Sequence, residues 1–458
     1  MRGGAPRLAL LALIPALSVT GAAFATSASA AAAPQTFYVS ATGNDSNAGT
    51  SPATAWRTLQ PVNSQSLGGD TVLLEGGSTF TGPLRLDSQD SGVTIGSFGT
   101  GRARIIGRNS SGVIAYDAGA VTVRDLNLVG DAASFAGDPG LNVYSDRPAG
   151  QRLVGVTITR VTVEGFKDGV AVGGANPGAG FAQVSISDVT AEGNRDAGVI
   201  TYGPAFDAAA PSYANAGVTV VRTIANRNLG DPANTLTNSG NGIVLGSVDG
   251  GSITRSSASG NGLHCIAPEG PAGIWTYDSR DIRIAYDRAT GNRTGGAADG
   301  DGFDLDQNVS NSSLEHNVAA GNDGAGFLVY TAQNNAANHG NVVRWNTSKG
   351  DAKNSSWYGG ITLAGKVMSV TVADNVVDTT TSASHAPALA IKSGVTGARI
   401  NANTLKSAAR HNVLVSPRIS RTAAAFTRNH WSRTAQPVSW GAARFRTVAA
   451  WTRATGES

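Results

Sequence analysis

A five-residue pattern recurs along most of this chain: glycine, then two apolar residues separated and followed by variable ones. It reads GVIAY from Gly112, GLNVY from Gly140, GVAVG from Gly169 and GVITY from Gly198. It continues as GIVLG from Gly242, GIWTY from Gly273, GFDLD from Gly302, GFLVY from Gly326 and GITLA from Gly360, with weaker copies from Ala388 and Asn412. Neighbouring glycine-led copies lie 24 to 44 residues apart. A second alternating series falls between them, including VTVRD from Val121, VTITR from Val156, VSISD from Val184, VTVVR from Val218 and VTVAD from Val370. Many of these segments are followed by a Gly-Asn turn, as at Gly193-Asn194, Gly260-Asn261, Gly291-Asn292 and Gly321-Asn322.

Short alternating strands at such a period specify a solenoid, because no single repeat can bury its own apolar positions. Leucine-rich repeats are shorter and dominated by Leu, and propeller blades need four strands each, so a parallel β-helix fits the pattern. The 59 glycines among 458 residues agree with an all-β chain of many tight turns. Period-two alternation places Phe303, Leu305, Phe327 and Val329 inside the coil. Stacked Asn side chains in the turns are expected to hydrogen-bond along the axis.

The chain resembles the right-handed parallel β-helix proteins of the pectate-lyase-like superfamily. The opening FYVSATGNDSNAGTSPATAWRTLQPVN, followed by GGDTVLLEGGSTF, is similar to the N-terminal cap and first rungs of secreted bacterial members. The end, from Asn429, resembles their C-terminal cap. The resemblance implies an all-β right-handed parallel β-helix with a cap at each end, and a carbohydrate-related role. It does not select among lyases, hydrolases, epimerases and adhesive proteins. The expected organisation is a signal peptide over 1–30, an N-terminal cap and first rungs over 31–90, the helix over 91–420 and a basic cap over 421–458. The signal peptide rests on Arg2 and Arg7, the apolar run Leu8–Val19 and the Ala28-Ser29-Ala30 cleavage site. It predicts a secreted, extracellular protein without a membrane span, and a monomer is expected.

Charge argues against nucleic acid as a partner. Residues 407–458 hold eight Arg and one acid, whereas residues 31–406 hold 25 basic and 31 acidic residues. The body is therefore mildly acidic, without the basic stripes that phosphate recognition needs. Cys265 is the single cysteine, so no disulfide framework exists.

Stacking the glycine-led strands in register gives two outward columns. Trp275 and Tyr277 should flank Asp304 and Asp306 on one side, and Tyr330 on the other. Apolar faces for sugar rings beside paired carboxylates point to a polysaccharide substrate. Asp304 and Asp306 are the candidate catalytic residues, and Trp275, Tyr277, Tyr330 and Arg280 the candidate substrate-binding residues. The string ADGDGFDLDQN is rich in oxygen ligands of the kind Ca²⁺ takes. Asp299, Asp301 and Asp323 are therefore the candidate metal ligands, with Ca²⁺ as the candidate cofactor. An acid pair of this kind suits a glycoside hydrolase. The alternatives are a calcium-dependent polysaccharide lyase or epimerase acting on uronates, and a non-catalytic binding or cell-surface protein. GDGFDLDQN resembles a strand of one β-helix pectate lyase family that reads roughly GNGFKLGG, where the Lys is the base; Asp304 stands at that place. Loops at 203–216 and 228–241 are expected beside the groove. His264 and Glu269 are weaker acid–base candidates.

Overall fold

The computed structural model describes residues 33–108, 110–131, 137–332, 335–336, 338–432 and 436–455. The expected signal peptide lies outside the described residues. From Thr36 onward the chain winds through three long sheets of 14, 14 and 13 strands. All pairings within them are parallel until the last, where Gln436–Trp440 meets Ala443–Phe445 in antiparallel fashion. The first sheet carries the VTVRD-type series and the second carries the glycine-led series. The third sheet has strands of mostly three residues, such as Thr162–Glu164 and Arg288–Thr290, too short to show alternation in a sequence.

One apolar core runs the length of the coil between the three sheets. Phe303, Leu305, Phe327 and Val329 are fully buried in it, as the alternation predicts, and the Phe303 and Phe327 rings stack 5.1 Å apart. The stack includes Thr36–Val39 and Thr71–Glu75, within the segment expected to hold the N-terminal cap and first rungs. It continues through Gln436–Trp440, beyond the expected boundary at 420. The helix Val448–Thr455 closes the end by packing the buried Trp451 against Phe426, Trp440 and Phe445. No helix among the described residues is long and apolar enough to cross a membrane.

The Gly-Asn turns explain how the rungs keep register. Gly193, Gly260, Gly291 and Gly321 adopt φ between 61° and 66°, a left-handed conformation that glycine reaches without a Cβ clash. The asparagines that follow them, with Asn228 after the left-handed Arg227, form a buried column: Asn194, Asn228, Asn261, Asn292 and Asn322, ending on Asp351. Asn292 donates its backbone and side-chain N–H to Asn322 Oδ1 at 2.9 and 3.0 Å. Its own Oδ1 accepts from Asn261 Nδ2 at 2.9 Å. The motif glycines sit against this column. A Cβ on Gly302 would lie 2.7 Å from Gly326 O and 2.8 Å from Asn322 Nδ2. The glycine of one series and the asparagine of the turn therefore belong to one packing unit. Asn292→Ala should leave buried Asn261 donors unpaired and cost about 2–3 kcal/mol, read as a lower denaturation midpoint at unchanged m-value.

Candidate functional site

The site lies on the outer face of the second sheet. Trp275 of Ala272–Tyr277, Asp304 of Asp301–Leu305 and Leu328 of Phe327–Thr331 are direct register partners. Asp306 follows one position past its strand and donates its backbone N–H to Thr276 O at 2.9 Å. Asp is a poor strand former. The burial of Phe303 and Leu305 on the opposite face, roughly 1.5–3 kcal/mol each, offsets that preference.

Two contiguous chambers open above these strands. The first, about 240 Å³, is lined by Asp299, Asp301, Asp304, Leu328, Tyr330, Trp357 and Tyr358 among others. The second, about 560 Å³, includes Asp196, Phe206, Tyr277, Asp278 and Asn335. Asn238, Glu269, Trp275, Asp306 and Gln307 line both, so the chambers meet over Asp306. The loops anticipated at 203–216 and 228–241 supply Phe206 and Asn238 to this wall.

The carboxyls on the floor are held away from water. Asp301 is fully buried and Asp304 is 5% exposed. Burial, reinforced by Asp306, Asp301 and Asp299, pushes the Asp304 carboxyl well above its usual range, and nothing in its surroundings pulls it down. Burial also raises Asp306, and the like charge of Asp299 adds to this, while the Gln307 backbone N–H opposes it. Burial raises Asp301 and Asp299 as well; Asp301 accepts a hydrogen bond from the Ala325 backbone. Asp304 is the more deeply buried of the pair, and Asp306 is partly exposed. Oδ2 of Asp301 and one oxygen each of Asp304 and Asp306 have no hydrogen-bond partner.

The structure gathers Asp299, Asp301, Asp304, Asp306, Trp275, Tyr277 and Tyr330 around the chambers. Tyr277 lies flat over Gly246, where an added Cβ would come within 2.3 Å of its ring. Trp275 donates Nε1–H to Asn241 Oδ1 at 3.1 Å, which fixes its ring. Arg280 is a correction. It belongs to the first sheet, where Asp249 holds its Nε and Nη2 at 2.7 and 2.8 Å, and it lines neither chamber.

Asp323 is a second correction, because it accepts from Arg293 Nε at 3.1 Å and Thr294 N at 3.2 Å and lines neither chamber. Asp299 is engaged by Tyr358, whose hydroxyl donates to Oδ1 at 2.7 Å, and by Gly270 N at 2.8 Å. The three expected calcium ligands thus do not converge. Among the described residues no group of three or more His, Cys, Asp or Glu side chains is arranged to hold a metal.

Asp196, Asp278, Trp357 and Tyr358 were not expected from the sequence. Asp196, Trp357 and Tyr358 stand outside the two outward columns, and Asp278 follows immediately after Tyr277. Glu269 lines both chambers, while His264 lines neither.

No curated protein matches the chain. The family described as right handed beta helix region matches residues 212–377. Among solved structures, the GH136 lacto-N-biosidase from Eubacterium ramulus is 16% identical, with a TM-score of 0.55, covering 87% of this chain and 68% of that one. The A-module of the Azotobacter vinelandii mannuronan C-5 epimerase AlgE4 is 15% identical, with a TM-score of 0.46, covering 81% of this chain and 89% of that one. Pectate lyase Pel9A is 18% identical, with a TM-score of 0.43, covering 89% and 82%. At such identities the likeness is one of fold. The chain folds as a right-handed parallel β-helix, the architecture of the pectate-lyase-like superfamily.

Proposed function

We propose that this β-helix is a secreted, monomeric glycoside hydrolase that cleaves a polysaccharide over Asp304 and Asp306. The observation that carries this reading is the composition of the cleft. Its floor and walls hold the acidic side chains Asp196, Glu269, Asp278, Asp299, Asp301, Asp304 and Asp306 and, among the described residues, no Lys or Arg. A uronate lyase or epimerase must neutralise the substrate carboxylate before a proton can be removed beside it. A lining of acidic groups offers nothing to neutralise such a substrate, whereas glycosidic hydrolysis needs only an acid and a second carboxylate. The likeness to a lacto-N-biosidase adds support for a carbohydrate ligand.

Asp304 gives its proton to the glycosidic oxygen as the bond to the anomeric carbon breaks. Asp306, at the junction of the chambers, either attacks the anomeric carbon or takes a proton from the water that does. Residues two apart on a strand have Cα atoms about 6.6–7 Å apart, which lets the carboxyls reach the separations of both the retaining and the inverting routes. Trp275 is only 7% exposed and packs with Ala197, Val244 and Ala272, so the partly exposed Tyr330 is the ring placed to meet a sugar, in ground and transition states alike. Tyr330→Ala should therefore raise KM by about fivefold with a smaller change in kcat.

The test is a panel of neutral, amino and uronic polysaccharides, scored for reducing ends and for the absorbance of unsaturated uronates. New reducing ends without that absorbance support the hydrolase. Unsaturated products would replace it with a lyase, and binding without any product would make the protein a carbohydrate-binding module.

A further inference from the structure

We propose that the cleft is a dead end that seats the terminus of a glycan chain, so that cleavage removes the terminal sugar; this rests on the hydrolase reading above and fixes where along the polymer it acts. The inference comes from the second sheet just beyond the floor of the site. Register carries the outward columns from Leu328 to Thr362 and Ala390, and from Tyr330 to Ala364. Thr362 stands between the core residues Ile361 and Leu363, so its side chain points away from the core, as do those of Ala364 and Ala390. Along an open groove such side chains meet solvent. Here Thr362, Ala364 and Ala390 are 0, 1 and 0% exposed, and none of them lines a chamber.

The segment 351–360 covers them. Gly359 donates its N–H to Thr362 Oγ1 at 2.9 Å, and a Cβ added to Gly359 would lie 2.9 Å from Ala390 N. Tyr358 packs on Leu328 with Ala325, Ala352 and Ala386. Its hydroxyl donates to Asp299 Oδ1 and accepts from Asp299 N, each at 2.7 Å. Ala352 N and Asn354 N tie the start of the segment to Gly324 O and Asp323 O at 2.6 and 2.9 Å. Trp357 and Tyr358 therefore form a fastened wall across the end of the first chamber, which they line. A polymer lying along the sheet would have to pass through them. In the other direction the second chamber runs from Ile200 to Asp306 and is lined by the exposed Ala205 and Thr237, which leaves a path for the rest of the chain. The volumes agree. The first chamber, about 240 Å³, falls below the roughly 300–1,000 Å³ of pockets for drug-sized ligands and suits one sugar, whereas the second, about 560 Å³, lies within that range. Asp306 stands where the two meet, so water is added across the bond that joins the terminal sugar to the chain.

The experiment follows product size and the effect of blocking each chain end. Its probes are cello-, manno-, chitosan- and galacturonan-derived oligosaccharides of graded length, with their parent polymers. From the first turnover the products should be a single sugar and a chain one unit shorter, while the viscosity of the parent polymer barely falls. A bulky label on one of the two chain ends should abolish cleavage, and a label on the other should leave it unchanged. Calorimetry should give one protein per chain whatever the chain's length. Trp357→Ala/Tyr358→Ala, checked for folding by its melting curve, should lower the wall and admit cleavage inside the polymer. Should that variant unfold, Tyr358→Phe keeps the packing on Leu328, frees the segment from Asp299 and should raise the share of internal cleavage.

Fragments of mixed length with a fast loss of viscosity, cleavage insensitive to a label at either end, or several proteins bound along each long chain would overturn the proposal while leaving the hydrolase intact. A folded double variant that still cleaves only at chain ends would overturn it too, because the wall would not be what selects them. One protein per chain, lost on labelling one end, with no cleavage would support the dead end while removing the hydrolase. Binding and cleavage of none of the probes would overturn both.

Discussion

Replacing Asp304 with Asn is expected to lower kcat by about 10²-fold or more while leaving the protein at least as stable as before. The first effect is the loss of general acid catalysis. The second follows from the site itself. Asp304 is buried beside Asp301 and Asp306, and its carboxyl is raised by burial and by those like charges. Ionising it in the folded protein is disfavoured, so a neutral amide of nearly the same shape relieves that penalty. Asp306→Asn should cost a similar factor in turnover. Loss of activity together with a retained or raised melting temperature is the signature of a group kept for chemistry. Loss of both would mark Asp304 as a structural residue. Full activity in both variants would move the catalytic centre, with Glu269 as the next residue to test.

Asp287→Asn should stabilise the fold by about 2–4 kcal/mol at neutral pH. Asp287 occupies a position in a second column of buried turn residues, between Ser256 and Asn317. Its Oδ1 accepts from Ser256 N at 2.6 Å, but Oδ2 has no partner. Asn317, one rung on, donates its Nδ2–H to Ile284 O at 2.9 Å. An amide at 287 could place the same donor where Oδ2 now stands unpaired.

Burial pushes the Asp287 carboxyl up to about 8, and Asp168 and Asp351 up to about 6. The folded state therefore holds these protons after the unfolded chain has released them. Stability from these groups is fully present below the unfolded pKa near 3.8 and is lost as pH rises toward about 8. Melting temperatures should fall across that window, and Asp287→Asn should flatten the fall. A melting temperature that rises steadily from pH 4 to 8, or a variant with an unchanged slope, would contradict this account.

The parts of the fold that repeat were legible in the sequence, because each rung repeats one physical constraint. Alternation placed Phe303 and Leu305 inside, and the Gly-Asn dipeptides marked both the left-handed turn and the column it feeds. The same register predicted that Trp275 would neighbour Asp304. What escaped the sequence lies outside the repeat. Tyr358 reaches Asp299 across 59 residues, and Asp196 approaches the cleft from a separate turn. No periodicity connects them to the floor. Arg280 misled for the opposite reason: its strand is regular, but it belongs to the neighbouring sheet and already has Asp249 as a partner. The density of acids around Asp304 suggested a cation site, but adjacency in sequence did not reveal that Asp323 turns to Arg293.

A crystal structure of the Asp306→Asn variant with a bound oligosaccharide tests the central claim most directly. The account predicts a glycosidic oxygen within hydrogen-bond reach of Asp304, one sugar ring in each chamber and the scissile bond above position 306. A saccharide seated on another face of the coil, or one whose glycosidic oxygens all lie beyond the reach of Asp304, would contradict it.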